Sequence, residues 1–305
     1  MEVWSHSIMK KISEPIVFFG SGPVAAASLS NLLKLANIEF VVTKSSTKTE
    51  MSQIAGDIPV FTANSREELD ELIEKQKPTS RLGILVDYGV IVSKKIIDTF
   101  PLGILNSHFS LLPELRGADP ISFAILTGAK RTGVSLMLLV EAMDEGPLLA
   151  QTELELSDSI TTPELTDELI ELSNKCLEQI IPLYLDNQVA PQPQEQVTIG
   201  SKEASYTRKL TKSDGIIDWT KPATQIEREI RAYIDWPKSR TNLAGKDVVI
   251  LRAKVISETG KPGNVEQRGK QLIIYCGKDA LSLLILKPAG KKEMPVEAFL
   301  AGYSV

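Results

Sequence analysis

The sequence is poor in the side chains that build disulfide frameworks and metal sites. Its 305 residues include two cysteines and two histidines. Cys176 and Cys276 lie 100 positions apart, which excludes a disulfide scaffold and a cysteine-rich zinc centre. His6 lies near the terminus, so any histidine chemistry depends on His108. We therefore expect no metal site.

Long apolar runs are missing as well. No uninterrupted stretch approaches the ~20 apolar residues that span a bilayer, and residues 1–13 lack the apolar segment of a secretory signal. With 43% hydrophobic and 24% charged residues, the composition is that of an ordinary globular protein. We expect a cytoplasmic monomer without a membrane partner.

The charges are divided unevenly along the chain. Residues 1–200 carry a net charge of −12, whereas residues 201–305 hold 19 Lys and Arg against 12 Asp and Glu, a net charge of +7. A basic C-terminal third favours a polyanionic partner such as a nucleic acid. A solvated basic surface explains the same excess equally well, so charge alone leaves both interpretations open.

The first part of the chain alternates short β-branched runs with helical periodicity. The predicted strands cover residues 16–19, 40–42, 59–61, 82–86, 103–106 and 134–139. The predicted helices cover residues 25–35, 65–73, 119–128 and 163–185. This alternation predicts an α/β fold with a doubly wound, mostly parallel, Rossmann-like sheet over residues 1–190. Ligands of such sheets bind beyond the carboxyl ends of the strands.

A change of pattern follows this part. The polar, proline-rich stretch that begins at Pro191 predicts a linker over residues 191–204. One helix is then predicted at residues 226–233, followed by short strands at 248–251, 271–275 and 281–286 that glycine turns separate. These elements predict a small OB-like β-barrel domain over residues 205–305.

A glycine-rich turn, Gly20-Ser21-Gly22-Pro23, follows the first predicted strand and matches the dinucleotide-binding fingerprint. That fingerprint also needs an acidic residue at the end of the second strand, where Thr43 and Lys44 stand instead. A tight strand-to-helix turn explains the glycines as well. We therefore do not predict a nicotinamide cofactor.

Three polar residues are expected together at the carboxyl edge of the sheet. Asn106 and His108 are two positions apart at a strand end, which points both side chains the same way. Asp144 follows the next strand. An amide can stabilise an oxyanion, an imidazole can move protons, and a carboxylate can orient the imidazole and favour its charged form. This set suits acyl transfer without a covalent intermediate, because the sequence has no G-x-S-x-G nucleophile elbow.

The same residue types have a structural interpretation. Asn106 can be a turn former, His108 a buried histidine with satisfied hydrogen bonds, and Asp144 a helix or turn cap. Residue types alone do not separate this interpretation from the catalytic one.

The stretch Asn106–Pro113 resembles the signature of the folate-dependent formyltransferases. Further matching positions are Arg116-Gly117, Pro120, Thr132-Gly133 and Asp144-Glu145-Gly146. Later segments resemble the C-terminal barrel of that family: Lys209–Lys212, Ile217–Trp219, Arg231–Tyr233 with Trp236-Pro237, and Lys287–Lys292. The resemblance covers nearly the whole chain and is greatest to the members that formylate the initiator methionyl-tRNA.

The resemblance implies a formyl donor, an acceptor and their binding residues. The donor would be 10-formyltetrahydrofolate and the acceptor the free amine of initiator methionyl-tRNA, with the OB-like domain on the tRNA. Asn106 would stabilise the oxyanion, His108 would transfer protons and Asp144 would tune His108. The implied folate-binding positions are Val86, Asp87, Tyr88, Gly89, Ser110, Leu111, Leu112 and Pro113. The positions expected at the tRNA are Lys44, Lys48, Arg116, Lys209, Lys212, Arg228, Arg231, Lys291 and Lys292.

Three departures from the family pattern leave other functions open. Gly20-Ser21-Gly22-Pro23 stands where the family usually has a Gly-Thr-Pro turn. Residues 44–53 form what we expect to be a shortened loop with only Lys44 and Lys48 basic, and Asp87 replaces a residue that is usually small. One alternative is a formyltransferase for an amino sugar nucleotide, which the basic C-terminal third opposes. Another is a tRNA-binding relative without catalysis, which the intact Asn106, His108 and Asp144 oppose.

Overall fold

The computed structural model describes residues 12–196 and 203–303. The described chain divides into two compact units, each drawn from three segments. The first unit takes the residues up to Arg116, Thr132–Leu154 and Asp167–Tyr206. The second unit takes Gly117–Arg131, Glu155–Thr166 and the residues from Thr207 onward.

A seven-stranded sheet runs through the first unit. Its strands are β1 (Ile12–Gly20), β2 (Ala36–Thr43), β3 (Val60–Thr62), β4 (Leu82–Val86), β5 (Ile104–His108), β6 (Arg131–Leu138) and β7 (Leu148–Glu155). The strand order is β3-β2-β1-β4-β5-β6-β7. The pairs from β3 to β5 are parallel, and β5 pairs with β6 in the antiparallel direction. The predicted α/β class with a mostly parallel sheet is confirmed.

The helices of this part of the chain connect the strands. They are α1 (Pro23–Leu35), α2 (Lys48–Ala55), α3 (Arg66–Gln76), α4 (Lys94–Ile97), α5 (Pro120–Leu126) and α6 (Thr162–Leu185). The Ser65 hydroxyl accepts a hydrogen bond from the Glu68 amide and caps α3. This is the start that the Ser-x-x-Glu spacing predicts.

The prediction of a loop over residues 44–53 is wrong. A 3-10 turn (Ser45–Thr47) leads directly into α2. The helix places only Met51 and Ala55 in the core, four positions apart on one face. Its apolar pattern of Met51, Ile54 and Ala55 covers little more than one turn, which is too short to indicate a helix.

The glycine-rich turn joins β1 to α1 by close backbone packing. The Ser21 amide and hydroxyl both donate to the Asp87 carbonyl oxygen. A Cβ atom on Gly20 would lie 2.7 Å from the carbonyl oxygen of Val86, and Gly22 has a φ of +87°. The turn therefore accounts for both glycines.

An antiparallel, curled sheet forms most of the second unit. Its strands are β8 (Arg240–Leu243), β9 (Lys246–Ile256), β10 (Val265–Arg268), β11 (Gln271–Tyr275), β12 (Ala280–Pro288) and β13 (Met294–Pro295). The order is β10-β11-β12-β9-β8, with β13 paired to β12. Two helices, α7 (Ala223–Ala232) and α8 (Val296–Gly302), pack on it through Ile226, Ile230 and Phe299. The fold-class prediction is confirmed for this unit as well.

Two kinds of feature are absent from residues 12–196 and 203–303. No helix there is both long and apolar enough to cross a membrane. No group of three or more His, Cys, Asp or Glu side chains there could hold a metal ion.

Candidate active site

The end of β5 carries two of the three predicted catalytic residues. Asn106 is 7% exposed and His108 is 6% exposed. In the sheet, Asn106 pairs with Leu85 of β4, and His108 pairs with Ser135 of β6. Strand alternation places the two side chains on the same face.

His108 lies between a backbone carbonyl and a carboxylate. Its Nε2 lies 3.0 Å from the Leu115 carbonyl oxygen, and its Nδ1 lies 3.7 Å from Asp144 Oδ2. A carbonyl oxygen only accepts hydrogen bonds, so Nε2 carries a proton. The 3.7 Å separation is longer than a hydrogen bond but short enough for electrostatic attraction once Nδ1 is protonated. The fold thus brings His108 and Asp144 together, as the sequence predicts.

The side-chain amide of Asn106 forms no hydrogen bond within the part of the chain that the structure describes. We refer to it as an open amide. Its two N–H groups are therefore available as donors to a bound molecule.

The loop that leaves β5, residues 110–113, is held by two side chains that the sequence pattern does not single out. Ser135 Oγ donates to the Ser110 carbonyl oxygen over 2.7 Å and accepts from the Leu112 amide over 3.0 Å. Gln151 Nε2 donates to the Leu112 carbonyl oxygen over 2.7 Å. These bonds fix the backbone of the loop beside His108.

Most predicted folate-binding side chains point into the first unit. Val86, Tyr88, Leu111 and Leu112 are each at most 2% exposed. Tyr88 donates to the Ala63 carbonyl oxygen, and burial raises the pKa of its phenol well above the ordinary value. A ligand beside these residues would therefore meet their backbone rather than their side chains.

The side chain of Gln151, which binds the backbone of Leu112, includes a buried acceptor without a partner in the described chain. Gln151 Oε1 is buried and has no hydrogen-bond partner among residues 12–196 and 203–303, although Nε2 of the same amide binds Leu112. An unmet buried acceptor is costly. Asp87 and Gly89, at the end of β4, are exposed.

Arg116 is turned into the first unit. It is 8% exposed, and its guanidinium lies 3.1 Å from Glu145 Oε1. It also donates to Gln194 Oε1 over 2.6 Å and to Tyr206 Oη over 3.0 Å. The tRNA contact of Arg116 stays a prediction, whereas these three contacts are what the structure shows.

The other basic residues predicted at the tRNA differ in exposure. The exposed ones are Lys48, Lys209, Lys212, Lys291 and Lys292, while Lys44, Arg228 and Arg231 are half-buried. Arg228 and Arg231 line a cleft of the second unit with Lys130 and Asp158. A hydrogen bond from Lys130, with both arginines nearby, lowers the pKa of Asp158. The cleft therefore combines three cations with one carboxylate.

Family models and curated relatives both match the chain. The formyl transferase model matches residues 16–181, and the formyl transferase C-terminal domain model matches residues 209–304. A methionyl-tRNA formyltransferase of Roseiflexus sp. (strain RS-1) is 34% identical, covering 94% of this chain and 92% of the relative.

Solved structures share the fold at low identity. The N-formyltransferase from Helicobacter canadensis, in complex with folinic acid and dTDP-3-aminofucose, has a TM-score of 0.65 and 17% identity, over 89% of this chain and 99% of that one. HypX from Aquifex aeolicus, in complex with tetrahydrofolic acid, has a TM-score of 0.62 and 18% identity, over 94% of this chain and 46% of that one. The two domain models and the full-length relative show that the chain belongs to the methionyl-tRNA formyltransferase family, a family of formyltransferase enzymes.

Proposed function

We propose that this enzyme transfers the formyl group of 10-formyltetrahydrofolate to the free amine of initiator methionyl-tRNA. The observation that carries the proposal is the pairing of His108 with Asp144 next to the open amide of Asn106. The name of the full-length relative supports the choice of acceptor.

Each of the three residues has one role in this reaction. Asn106 donates its side-chain N–H to the carbonyl oxygen of the formyl group as negative charge develops there. His108 Nδ1 accepts a proton from the attacking amine, and Asp144 stabilises the imidazolium that results. The Leu115 carbonyl holds Nε2–H and so keeps the ring in this orientation.

The bonds and the proton balance without a covalent enzyme intermediate. A C–N bond forms between the methionyl nitrogen and the formyl carbon, and the C–N bond between that carbon and the folate nitrogen breaks. The proton that His108 takes from the amine is returned to the leaving nitrogen. The methionyl amine is itself the nucleophile that attacks the formyl carbon, so the protein needs no nucleophile of its own.

Two backbone segments are proposed to hold the folate. One is the loop 110–113, which Ser135 and Gln151 fix, and the other is the end of β4 at residues 86–89. The rigid loop would keep the formyl carbon within reach of His108 while the pteridine lies against the backbone.

The tRNA is proposed to bind through the basic residues outside the sheet. The exposed lysines Lys209, Lys212, Lys291 and Lys292 belong to the segment with a net charge of +7. Phosphate contacts by Lys and Arg supply much of the affinity of proteins for nucleic acids. We also propose that the enzyme is a monomer and that it acts in translation initiation in the cytoplasm.

A comparison of acceptors tests the proposal. Purified protein is incubated with 10-formyltetrahydrofolate and, in separate reactions, initiator methionyl-tRNA or a dTDP-linked amino sugar, and the formylated product is quantified by mass spectrometry. We expect formylmethionyl-tRNA. Formylation of the amino sugar alone would assign the enzyme to the sugar-modifying group. Binding of the tRNA without any product would make it a tRNA-binding relative without catalysis.

A further inference from the structure

Residues that follow α6 return to the catalytic residues. We name residues 191–206 the return segment, of which 191–196 and 203–206 are described. Gln192 pairs with Leu148 through two backbone hydrogen bonds of 2.7 and 2.8 Å. A 3-10 turn (Gln194–Gln196) follows at once. The polar stretch that predicts a linker here therefore includes one side chain, that of Gln194, which is buried in the first unit.

Gln194 is the buried residue of this turn. It is 3% exposed, and its amide uses both of its ends. Nε2 donates to the carbonyl oxygens of Asp144 and Gly146, over 2.7 and 2.9 Å. Oε1 accepts from Arg116 over 2.6 Å. The Gln194 side chain therefore binds the backbone on both sides of Glu145. We name residues 144–146 the Asp144 turn and this contact the clamp.

Arg116 and Glu145 close the same network. Arg116 Nη1 lies 3.1 Å from Glu145 Oε1, and the Tyr206 hydroxyl lies 3.2 Å from the same oxygen. Asp144 itself has a φ of +53°, in the left-handed region, which is strained for most L-residues although Asp tolerates it better than others. The hydrogen bonds from Gln194 are placed to enforce it.

The return segment also supports the other side of His108. Ser205 Oγ accepts from the Leu115 amide over 2.8 Å, and the Ser205 carbonyl oxygen accepts from the Arg116 amide over 2.9 Å. Leu115 is the residue whose carbonyl accepts from His108 Nε2. Both partners of the imidazole are thus held by the same stretch of chain.

We propose that Gln194 is a positioning residue, which sets the direction of the Asp144 carboxylate toward His108 with Arg116 as its anchor. It touches neither the formyl donor nor the amine in this role. Arg116 then serves this network rather than the tRNA. The inference rests on the proposed function, because it assigns Asp144 the task of stabilising the His108 imidazolium.

The test compares Gln194→Leu with Gln194→Glu and with a matched control, Gln196→Leu, which alters an exposed glutamine of the same turn. Leu keeps the bulk but removes both hydrogen-bonding ends, and Glu keeps the acceptor for Arg116 but removes the donor. We expect both Gln194 variants to lower kcat by about 10²-fold with the KM for folate nearly unchanged, as a misplaced catalytic group does. Gln196→Leu should behave like wild type.

Coupling to Asp144 separates positioning from general stabilisation. In an Asp144→Asn background, Gln194→Leu should cost less than about 3-fold further, because the carboxylate that it orients is already gone. An equal loss in both backgrounds, or wild-type kcat in Gln194→Leu, overturns the proposal. If Gln194→Leu does not fold, the same comparison is made with Gln194→Glu.

A measurement without catalysis keeps this inference apart from the proposed function. Hydrogen–deuterium exchange of a peptide covering residues 141–147 should quicken in Gln194→Leu and not in Gln196→Leu. If the wild-type enzyme formylates no methionyl-tRNA but exchange still quickens only in Gln194→Leu, the proposed function is overturned and the clamp is kept. Unchanged exchange in Gln194→Leu would overturn the clamp, whatever the acceptor is.

Discussion

The hydroxyl of Ser135 donates a hydrogen bond to the carbonyl oxygen of Ser110 across 2.7 Å and so joins β6 to the loop that leaves β5. The hydroxyl oxygen of Ser135 also accepts a hydrogen bond from the Leu112 amide. Ser135 also pairs with His108 in the sheet. Ser135 therefore joins the strand of His108 through its backbone and holds the loop proposed for folate through its fully buried hydroxyl.

Ser135→Ala tests the importance of this hydroxyl. The change leaves the buried Leu112 amide and the Ser110 carbonyl without their partner, so we expect a loss of about 1–3 kcal/mol in the free energy of unfolding and a several-fold higher KM for folate. Urea denaturation and steady-state kinetics measure the two effects. Ser28→Ala is the matched control, because Ser28 Oγ is buried without a hydrogen-bond partner in the described chain. An equal effect of the two changes would contradict the assignment.

The three proposed catalytic residues are tested by truncation. Asn106→Ala, His108→Ala and Asp144→Ala should each remove most of the turnover while the fold stays intact. For Asn106→Ala we expect a loss of about 10²- to 10³-fold, the usual effect of losing one oxyanion donor. Single-turnover kinetics measure the chemical step, and circular dichroism checks the fold. If His108→Ala retained the wild-type rate, its role in proton transfer would be refuted.

Gly146 is required by close packing in the Asp144 turn. A Cβ atom at this position would lie 1.7 Å from the Leu138 carbonyl oxygen, so Gly146→Ala must displace the turn. We expect a destabilisation of about 1–3 kcal/mol, as for other overpacked sites, together with a lower kcat. Gly302→Ala is the control, since a Cβ atom there meets nothing within 4 Å. A fully active Gly146→Ala variant would show that the turn adapts without moving Asp144.

Asp214 should contribute a pH-dependent part of the stability of the second unit. Hydrogen bonds from Arg208, then from Thr211, hold the pKa of Asp214 well below its usual range. A depressed pKa in the folded state means that the contribution is complete above the unfolded value of ~3.9 and is lost as the pH falls toward the folded value. Asp214 and Thr211 form a reciprocal capping box at a 3-10 turn (Lys212–Gly215), so we expect Asp214→Asn to cost about 1 kcal/mol at pH 7.

Thermal unfolding at several pH values checks this expectation. The difference in Tm between wild type and Asp214→Asn should stay constant from about pH 7 to pH 5 and shrink below about pH 4. A difference that grows on acidification would contradict it. Asp218→Asn is a useful comparison, since hydrogen bonds from Thr220 also lower the pKa of Asp218, but its carboxylate accepts from no other described residue.

The basic residues of the second unit should act by neutralising phosphates. The double variant Lys291→Glu with Lys292→Glu should weaken tRNA binding and lower the slope of log affinity against log salt by roughly 0.7–0.9 for each phosphate that the variant leaves unneutralised. Lys75→Glu with Lys77→Glu, in the first unit, is the charge-matched control. Filter binding at several salt concentrations measures both. An unchanged slope would favour a merely solvated basic surface.

The sequence predicts those structural features whose cause lies in residues close together along the chain. The strands at the centre of the sheet contain short continuous apolar runs, and the start of α3 follows from Ser65 and Glu68 alone. Period-two alternation likewise predicts that Asn106 and His108 share a face. The pattern does not predict β7, because its alternation of Leu148-Leu149-Ala150 with Gln151-Thr152 is weak.

The supporting residues of the site are not local in this sense. Gln194 lies 50 positions from Asp144, and Gln151 lies 39 positions from Leu112. A buried glutamine in a proline-rich polar stretch has no periodicity of its own, because its burial follows from a tertiary contact. The domain boundaries at 190 and 205 remain a prediction from a change of composition along the chain.

The late position of the return segment has a consequence for synthesis on the ribosome. The polypeptide emerges from its N-terminus, so Asp144 leaves the ribosome before the glutamine that clamps it. At about 5–20 residues per second, the 50 residues between them take roughly 2.5 to 10 s. During that interval the growing chain contains Asn106, His108 and Asp144 but not the glutamine that binds the backbone on both sides of Glu145. The enzyme would thus acquire its activity only once Gln194 has been made, after all seven strands of the first sheet.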